Sequence, residues 1–293
     1  MDRNLDPKAE KLLGEANDVR IAHIRGDRWV TYPAAKRILD ELEELMNWPT
    51  KTRPPCRLIV SESNNGKSSL IEHFGRRHPP DQNLSGASVK VPVLIAEVTS
   101  PNEKAMYRTL LEALFEKVDP KDTTEERREQ LYAVLRRIQP KLILLDESND
   151  FLAGSRLKLL ECLVALKHIS TKTKIPIVAV GTPEAKRAFA SDPQLENRFV
   201  PIELPRWKSG PEFQGLLKSI EKTLPLRHAS GLHDKMIADV IFHRTRGILG
   251  EACALVEAAA TYAIRTATEK ITLVELEKCN YRVSSKFDSR RSA

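Results

Sequence analysis

The chain of 293 residues is 41% hydrophobic and 30% charged, and its formal net charge is +7. This length suffices for one large domain or two modest ones. The sequence has neither a membrane span of ~20 apolar residues nor a secretory signal, so we expect a cytoplasmic protein without a membrane partner. Four scattered cysteines without a CxxC pair argue against zinc or disulfides, and the basic charge fits either a nucleic-acid partner or a solvated basic face.

Five short apolar stretches predict buried β-strands. Residues 1–30 come first and predict a short helix with an irregular lead-in, and residues 31–46 have the apolar spacing of one helical face. The predicted strands cover residues 56–60, 91–98, 141–145, 175–180 and 199–204. Helical patterns over residues 68–76, 102–118, 125–138, 155–170 and 183–191 separate them. Such alternation is typical of an α/β fold, with a mostly parallel five-stranded sheet flanked by helices.

The pattern changes after residue 207. Residues 208–282 are helical almost throughout, which predicts a small all-helical subdomain, and residues 283–293 form a polar tail. The predicted organisation is therefore a lead-in at 1–30, an α/β domain at 31–207, the helical subdomain and the tail.

A polar turn from Ser61 to Ser68, with the sequence SESNNGKS, lies between the first predicted strand and a helix. This is the context of the phosphate-binding P-loop, in which backbone N–H groups and a helix N-terminus surround nucleotide phosphates. Lys67 would contact the β- and γ-phosphates, and the Ser68 hydroxyl would bind Mg²⁺. The nucleotide-binding residues predicted from the loop are Ser63, Asn64, Asn65, Gly66, Lys67, Ser68 and Ser69.

The first position of this loop is Ser61, where the P-loop pattern has glycine. The chain must turn sharply there, so a side chain fits only if φ stays negative. An accidental Gly-Lys-Ser sequence in a polar turn is the alternative.

The third predicted strand ends on an acidic pair, Asp146 and Glu147. Beside a P-loop, such an aspartate holds Mg²⁺ through water, and the glutamate orients and deprotonates the attacking water. A helix N-cap next to a solvated carboxylate is the alternative. Because the loop and the pair each follow a buried strand, together they favour a P-loop ATPase. No NKxD guanine signature is present, so ATP is the expected nucleotide.

Thr182 and Arg198 join Lys67 and Glu147 as candidate catalytic residues. Thr182 follows the fourth predicted strand, where it can contact the γ-phosphate or the attacking water, unless it only opens the next helix as an ST-turn. Arg198 precedes the last strand. An arginine there can project across a subunit boundary and stabilise the transferred phosphate, and an ordinary surface arginine is the alternative.

In this order, the motifs match the AAA+ pattern of Walker A, Walker B, sensor 1, arginine finger and helical lid. More closely, the chain resembles the TniB/TnsC family of AAA+ transposition regulators. The resemblance rests on ESNNGKS, LLDESNDFLAG, VAVGTPEAKRAF, DPQLENRF, ELPRW and TRGILGEACALV, and it covers most of residues 25–280. The run from Gly181 to Trp207 is its most specific part, because AAA+ proteins in general do not share it.

The resemblance implies an ATP- and Mg²⁺-dependent bacterial regulator that oligomerises on double-stranded DNA, as a ring or a helical filament. It would bridge a TniQ-like target-selection factor to the transposase, with ATP hydrolysis driving disassembly. ATP would bind between subunits, and Arg198 would act in trans.

The resemblance also implies further contacts. Lys104, Thr123 and Thr124 would touch the DNA backbone without reading sequence, although Lys104 can equally be a solvated helix residue. Thr31 and Tyr32 would contact the adenine, unless Tyr32 only packs in the core.

One departure concerns the lid. Where some family members have an arginine after the glycine at the Gly250 position, this chain has Glu251, with Arg246 nearby as a substitute. Two other functions remain open: a different DNA-associated AAA+ ATPase, of the initiator or helicase-loader type, or a non-hydrolysing ATP-binding adaptor. No winged-helix module is visible after residue 280, which counts against the first, whereas Ser61 and Glu251 keep the second open.

Overall fold

The computed structural model describes residues 5–84 and 89–283, which divide into two compact units. The α/β unit is Pro33–Pro205, and the helical unit combines the residues up to Tyr32 with those from Arg206 onward. Of the polar tail predicted over residues 283–293, all but Val283 lies outside the described residues.

Five parallel strands form the sheet of the α/β unit. They are β1 (Cys56–Val60), β2 (Val93–Glu97), β3 (Leu142–Asp146), β4 (Ile177–Gly181) and β5 (Phe199–Glu203). Their order across the sheet is β2-β3-β4-β1-β5, and every neighbouring pair is parallel. β3 and β4 are buried along their whole length, as expected where helices cover both faces of a parallel sheet. The predicted five-stranded α/β fold is confirmed.

The α-helices of the described chain are numbered here in order. They are α1 (Pro7–Lys11), α2 (Asn17–Arg25), α3 (Pro33–Met46), α4 (Lys67–Arg77), α5 (Glu103–Ala113), α6 (Thr124–Ile138), α7 (Arg156–Thr173), α8 (Pro183–Phe189), α9 (Pro193–Glu196), α10 (Pro211–Lys222), α11 (Lys235–Thr245), α12 (Leu249–Arg265) and α13 (Leu273–Lys278). α3 buries the face that its apolar spacing predicts, from Ala35 to Leu45. α3 to α9 belong to the α/β unit, and the others belong to the helical unit.

α5 is shorter than the helix predicted over residues 102–118. It ends at Ala113, and Phe115 then takes a left-handed conformation with φ of 58°. The Glu116 amide donates to the Leu111 carbonyl at 3.0 Å and closes the helix end. Because no glycine marks this turn, the apolar pattern alone predicted a longer helix.

The helical unit joins segments from both ends of the described chain. The Asp6 amide donates to the Lys222 carbonyl at 2.8 Å, α2 packs on α12, and the fully buried Arg20 pairs with Glu269. Residues 1–30 were expected to form a separate lead-in, but their described part belongs to this unit. Within the described ranges, no single helix has the length and apolar composition of a membrane span, although by those two measures the bent pair α11 and α12 would qualify together.

Candidate nucleotide-binding site

The segment from Ser61 to Gly66 forms the turn between β1 and α4. Two of its residues are left-handed, Asn64 with φ of 59° and Gly66 with φ of 87°, and asparagine and glycine adopt this conformation most readily. α4 then begins at Lys67 and runs for 11 residues, so its unpaired N–H groups and the positive end of its dipole lie at the turn. This is the strand, turn and helix arrangement on which the P-loop prediction depends.

Ser61 fits at the start of the loop because its backbone is not left-handed. Its side chain is buried, and Oγ donates to the Leu204 carbonyl at 2.7 Å. Its amide donates to the Gly181 carbonyl at 3.1 Å, which continues the pairing of β1 with β4 by one residue. Serine can therefore replace glycine at the first loop position, because its backbone and its side chain both have hydrogen-bond partners at the carboxyl end of β1.

The predicted phosphate-binding residues differ in exposure. Ser63, Asn64 and Ser69 are exposed, Gly66 and Ser68 are half-buried, and Asn65 and Lys67 are buried. Asn65 Nδ2 donates to Ser61 Oγ at 2.8 Å and to the carbonyls of Leu204 at 3.3 Å and Pro205 at 3.1 Å. Because this amide is held by protein groups, a contact of Asn65 with phosphate would come from its backbone.

Lys67 lies close to the acidic pair. Its Nζ donates to the carbonyls of Ser61 at 3.1 Å and Glu62 at 2.8 Å. Burial lowers the pKa of the Lys67 ammonium, while the carboxylates of Glu147, Asp146 and Glu62 act to raise it. The predicted phosphate-binding lysine therefore lies close enough to the predicted catalytic carboxylates for their charges to interact.

The acidic pair is held by a tight turn at the end of β3. Asp146 is buried, and Glu147 has a left-handed backbone with φ of 50°. Asp146 Oδ1 accepts a hydrogen bond from the Glu147 amide at 2.8 Å, and Ser148 Oγ donates to the Leu145 carbonyl at 3.1 Å. Such a backbone costs on the order of 1–3 kcal/mol outside glycine. The turn fixes where Glu147 leaves the strand.

Thr182 follows β4, the strand between β1 and β3. Gly181 pairs with Val60, so the carboxyl ends of β1 and β4 are level. Thr182 is the N-cap of α8, yet in the described structure its side chain makes no capping hydrogen bond. The alternative, an ST-turn that opens α8, therefore lacks its side-chain hydrogen bond, and contact of Thr182 with phosphate or water stays a prediction.

Arg198 lies at the amino ends of the strands, whereas the P-loop lies at their carboxyl ends. It immediately precedes β5, and Phe199 pairs with Cys56 at the start of β1. About six residues of extended strand, roughly 20 Å, therefore separate Arg198 from the loop of its own subunit. Its guanidinium Nε and Nη2 are buried and have no hydrogen-bond partner in the described part of the chain.

A cavity of about 1130 Å³ opens beside Arg198. Its basic lining residues are Arg53, Arg128, Lys167, His168, Lys172, Lys174 and Arg198. Glu129 is the one carboxylate among the described residues that line it. The sequence singled out only Arg198, because the other basic residues come from separate segments that no linear motif connects.

The candidate DNA contacts lie at the starts of two packed helices. Lys104 is the second residue of α5 and Thr124 is the first of α6, and the two helices contact each other extensively. Arg127 on α6 donates to the Lys104 carbonyl at 3.4 Å. The Thr123 hydroxyl caps α6 by accepting from the Glu126 amide at 3.2 Å. The structure thus brings the three predicted residues to one region, although Thr123 has a structural role there.

The candidate adenine contacts belong to the helical unit. Tyr32 is buried with its ring centroid 5.0 Å from that of Trp207, and burial, followed by the charge of Cys253, raises its pKa to about 12. Tyr32 therefore packs within the helical unit. Thr31 is exposed and accepts a hydrogen bond from Trp29 Nε1 at 3.0 Å. Adenine contact by either residue stays a prediction.

The lid position that departs from the family pattern has a structural role. Glu251 is buried, and its Oε2 accepts a hydrogen bond from the Tyr281 hydroxyl at 2.7 Å. Arg246 is exposed and has a left-handed backbone with φ of 53° at the end of α11. A role for Arg246 as the lid cation stays a prediction.

A five-stranded parallel sheet, a P-loop turn after its β1 strand, an acidic pair after β3 and a helical unit together define the AAA+ class of P-loop folds. The chain also matches the family model described as bacterial TniB protein over residues 20–209. It therefore belongs to the TniB family, which confirms the resemblance drawn from the motifs.

Solved structures share this fold at low identity. The ORC2 protein of Aeropyrum pernix, in ADPNP-ADP complexes, matches with a TM-score of 0.66 and 15% identity, over 92% of this chain and 74% of that one. The ORC1 protein of the same organism, in complex with DNA, matches with 0.64 and 15%, over 88% and 67%. CDC6P of Pyrobaculum aerophilum matches with 0.64 and 15%, over 91% and 73%. No curated protein sequence matches the chain.

Proposed function

We propose that the protein is an ATPase that oligomerises on double-stranded DNA and regulates transposition in the bacterial cytoplasm. It would join a TniQ-like target-selection factor to the transposase, and ATP hydrolysis would drive its disassembly. Membership of the TniB family supports the proposal, as does a P-loop turn with a buried lysine beside an acidic pair. A DNA complex of the similar ORC1 protein supports the association with DNA.

The position of each group supports a role in hydrolysis. Backbone N–H groups of the loop and Lys67 would hold the ATP phosphates. Among the described residues, no group of three or more His, Cys, Asp or Glu side chains could hold a metal by itself. Mg²⁺ would bind jointly to the phosphates, the Ser68 hydroxyl and Asp146, as this ion commonly does. Glu147 would accept a proton from the attacking water, and Thr182 would orient that water.

The position of Arg198 is the observation that carries an intersubunit site. An arginine roughly 20 Å along the sheet from its own loop cannot touch nucleotide there. In trans, Arg198 would stabilise charge on the transferred phosphate, an effect worth about 10³–10⁵ in rate in other P-loop enzymes.

Charge supports head-to-tail assembly. Acidic residues lie at the carboxyl ends of the strands, among them Glu62, Glu97, Asp146 and Glu147. The cavity beside Arg198, at the amino ends of the strands, is lined mainly by basic residues. If the acidic carboxyl ends of the strands in one subunit faced the basic cavity of the next subunit, these opposite charges would pair. Such heterologous contacts produce a closed ring or an open helical filament, the two assemblies expected from the family.

DNA contact would come from the neighbouring starts of α5 and α6. Lys104 supplies a charge there, and N–H groups in the first turn of α6, at Thr124, are suited to phosphate oxygens. The Thr123 hydroxyl can donate to phosphate while it accepts from the Glu126 amide. Contacts of these kinds position a protein on the duplex without reading its sequence, which suits a regulator that loads at many sites.

The Lys67→Ala variant tests the nucleotide site. Electron microscopy and sedimentation with ATP and duplex DNA should show assemblies for the wild type, whereas the variant should form none in the presence of ATP. ATP-dependent assemblies that persist in Lys67→Ala would refute the assignment of the loop.

A mixing experiment tests the intersubunit site. Lys67→Ala and Arg198→Ala should each be inactive in ATP turnover. A mixture should recover part of the turnover, because some interfaces then combine an intact loop with an intact Arg198. If mixed oligomers form and no turnover returns, the trans role of Arg198 is wrong.

A non-hydrolysing ATP-binding adaptor is the second candidate, and Glu251 favours it. At the position where a lid arginine would assist hydrolysis, this chain has a buried carboxylate bonded to Tyr281. Comparing ATP turnover with and without duplex DNA, in the wild type and in Glu147→Gln, separates the two functions. An initiator or helicase-loader role rests only on fold similarity to ORC and CDC6 proteins.

A further inference from the structure

The side chains of Ser61 and Asn65 connect the P-loop to the segment that follows β5. Ser61 Oγ donates to the Leu204 carbonyl at 2.7 Å. Asn65 Nδ2 donates to Ser61 Oγ at 2.8 Å and to the Pro205 carbonyl at 3.1 Å. Both side chains are almost fully buried, with 3% and 2% of their surfaces exposed, so water does not compete for these bonds. We call this set of contacts the Ser61–Asn65 clasp.

The clasp holds the loop residues that phosphate would reach. Asn65 directly precedes Gly66, the left-handed residue at the start of α4. The Ser61 carbonyl accepts a hydrogen bond from Lys67 Nζ at 3.1 Å. When ATP binds, Lys67 would leave the Ser61 carbonyl and contact the phosphates. We therefore expect Ser61 and Asn65, which form the clasp, to change position when nucleotide binds.

The clasp also holds the chain where it leaves the α/β unit. That unit ends at Pro205, and the helical unit resumes at Arg206. Two residues beyond Pro205, the Trp207 amide donates to the Gly247 carbonyl at 2.9 Å. Within the helical unit, Trp207 also packs on Tyr32 at 5.0 Å between ring centroids. Pro205, whose carbonyl accepts from the clasp, and Trp207, which is bonded within the helical unit, are therefore separated by Arg206 alone.

We propose that Ser61 and Asn65 are positioning residues that transmit the nucleotide state of the P-loop to Trp207 and the helical unit. The inference rests on the proposed function, because it requires ATP at this loop. Phosphate sets the conformation of residues 61–67, the clasp sets the Leu204 and Pro205 carbonyls, and the chain carries the change to Trp207. The serine at the first loop position is then required by the coupling, whereas glycine would provide no hydroxyl for it.

A protein with Trp207 as its single tryptophan, made by Trp29→Phe and Trp48→Phe, reports on this coupling. ATP binding is measured separately, by equilibrium dialysis with labelled ATP and Mg²⁺. We expect ATP to shift the Trp207 emission of this protein. Asn65→Ala removes three hydrogen bonds of the loop, so it should bind ATP more weakly than the parent. Once saturated with ATP, it should show no Trp207 shift.

Ser61→Gly is the second variant, because it restores the usual P-loop residue and removes only the hydroxyl. It should retain ATP binding and show a smaller Trp207 shift, and it decides the question if Asn65→Ala binds no ATP. Asn47→Ala is the matched control, since Asn47 Nδ2 donates to the Glu43 carbonyl at 2.9 Å elsewhere in the α/β unit. It should bind ATP and shift Trp207 as the parent does.

The outcomes distinguish the two levels of inference. If dialysis detects no ATP on the parent protein, the nucleotide site itself is wrong and the coupling fails with it. If the parent binds ATP without a Trp207 shift, the coupling is wrong and the site stands. The coupling is also refuted if Ser61→Gly or Asn65→Ala binds ATP and shifts Trp207 as fully as the parent.

Discussion

Replacing Arg20 with methionine removes the charged group that holds α2 within the helical unit. The guanidinium is fully buried. Its Nε and Nη2 donate to the Pro225 carbonyl at 3.0 and 2.7 Å, its Nη1 donates to Glu269 Oε1 at 2.8 Å, and Nη2 pairs with Glu269 Oε2. Methionine fills much of the same volume but removes the main partner of the Glu269 carboxylate, which has 8% of its side chain exposed and retains the Arg227 amide at 3.1 Å and Arg227 Nε at 3.9 Å.

The expected cost is large. Breaking a buried ion pair by removing one partner costs about 3–5 kcal/mol, and the Pro225 carbonyl loses its donors as well. Against a total stability of about 5–15 kcal/mol for a typical domain, Arg20→Met should leave the helical unit marginal. Adding Glu269→Gln should recover part of the loss, because no buried carboxylate then lacks its Arg20 partner.

Urea unfolding of the Trp29→Phe, Trp48→Phe protein, followed by Trp207 emission, measures this cost, because Trp207 packs within the helical unit. Far-UV circular dichroism followed in parallel reports the α/β unit as well, so a transition confined to one unit is visible. A loss below about 1 kcal/mol in Arg20→Met, or equal losses in the single and double variants, would refute the reasoning from burial and pairing.

The same pair makes stability depend on pH. Hydrogen bonding from Arg20 is the main cause that lowers the pKa of Glu269 in the folded protein. A carboxyl with a lowered folded pKa contributes stability that is present above its unfolded value of about 4.3 and is lost as pH falls through the folded value. The stability difference between the wild type and Arg20→Met should therefore shrink in acid and be full near neutral pH.

Three other changes test separate parts of the molecule. Glu147→Gln should keep ATP binding but slow hydrolysis by about 10²–10⁴, the usual contribution of a general base, and DNA assemblies should outlive those of the wild type in a nucleotide chase; unchanged turnover would contradict the base assignment. Gly247→Ala should lower the unfolding midpoint of the helical unit, because φ is +70° and the added Cβ would lie 2.2 Å from the Trp207 carbonyl oxygen; an unchanged midpoint would be inconsistent with this contact. Lys104→Ala should weaken DNA binding equally on different sequences and reduce the slope of log affinity against log salt by about 0.9, whereas an unchanged slope would show that Lys104 touches no phosphate.

The sheet and the loop were predictable from sequence because their signals are local. β3 is a run of buried apolar residues that ends on Asp146, so the strand and its acidic terminus stand in adjacent positions. The loop lies between a strand and a helix in the same way. Short apolar runs bounded by polar turns specify strands directly.

The partners of α2 could not be predicted in this way. Its central contact is an arginine, which a hydrophobic pattern treats as exposed, and the partner Glu269 is 249 residues away. The role of Asn65 was missed for a similar reason. The motif predicts a phosphate contact at that position, but the acceptors of its amide are carbonyls 139 and 140 residues further along the chain. No local pattern contains such distant partners.

The placement of the helical unit at both ends of the described chain has a consequence for folding during synthesis. α2 emerges from the ribosome before the α/β unit, but Glu269 follows Arg20 only after 249 residues. At a synthesis rate of about 5–20 residues per second, Arg20 waits on the order of 10–50 s for its partner. The α/β unit can fold within that interval, so a nascent chain would have its P-loop in place before its helical unit can close.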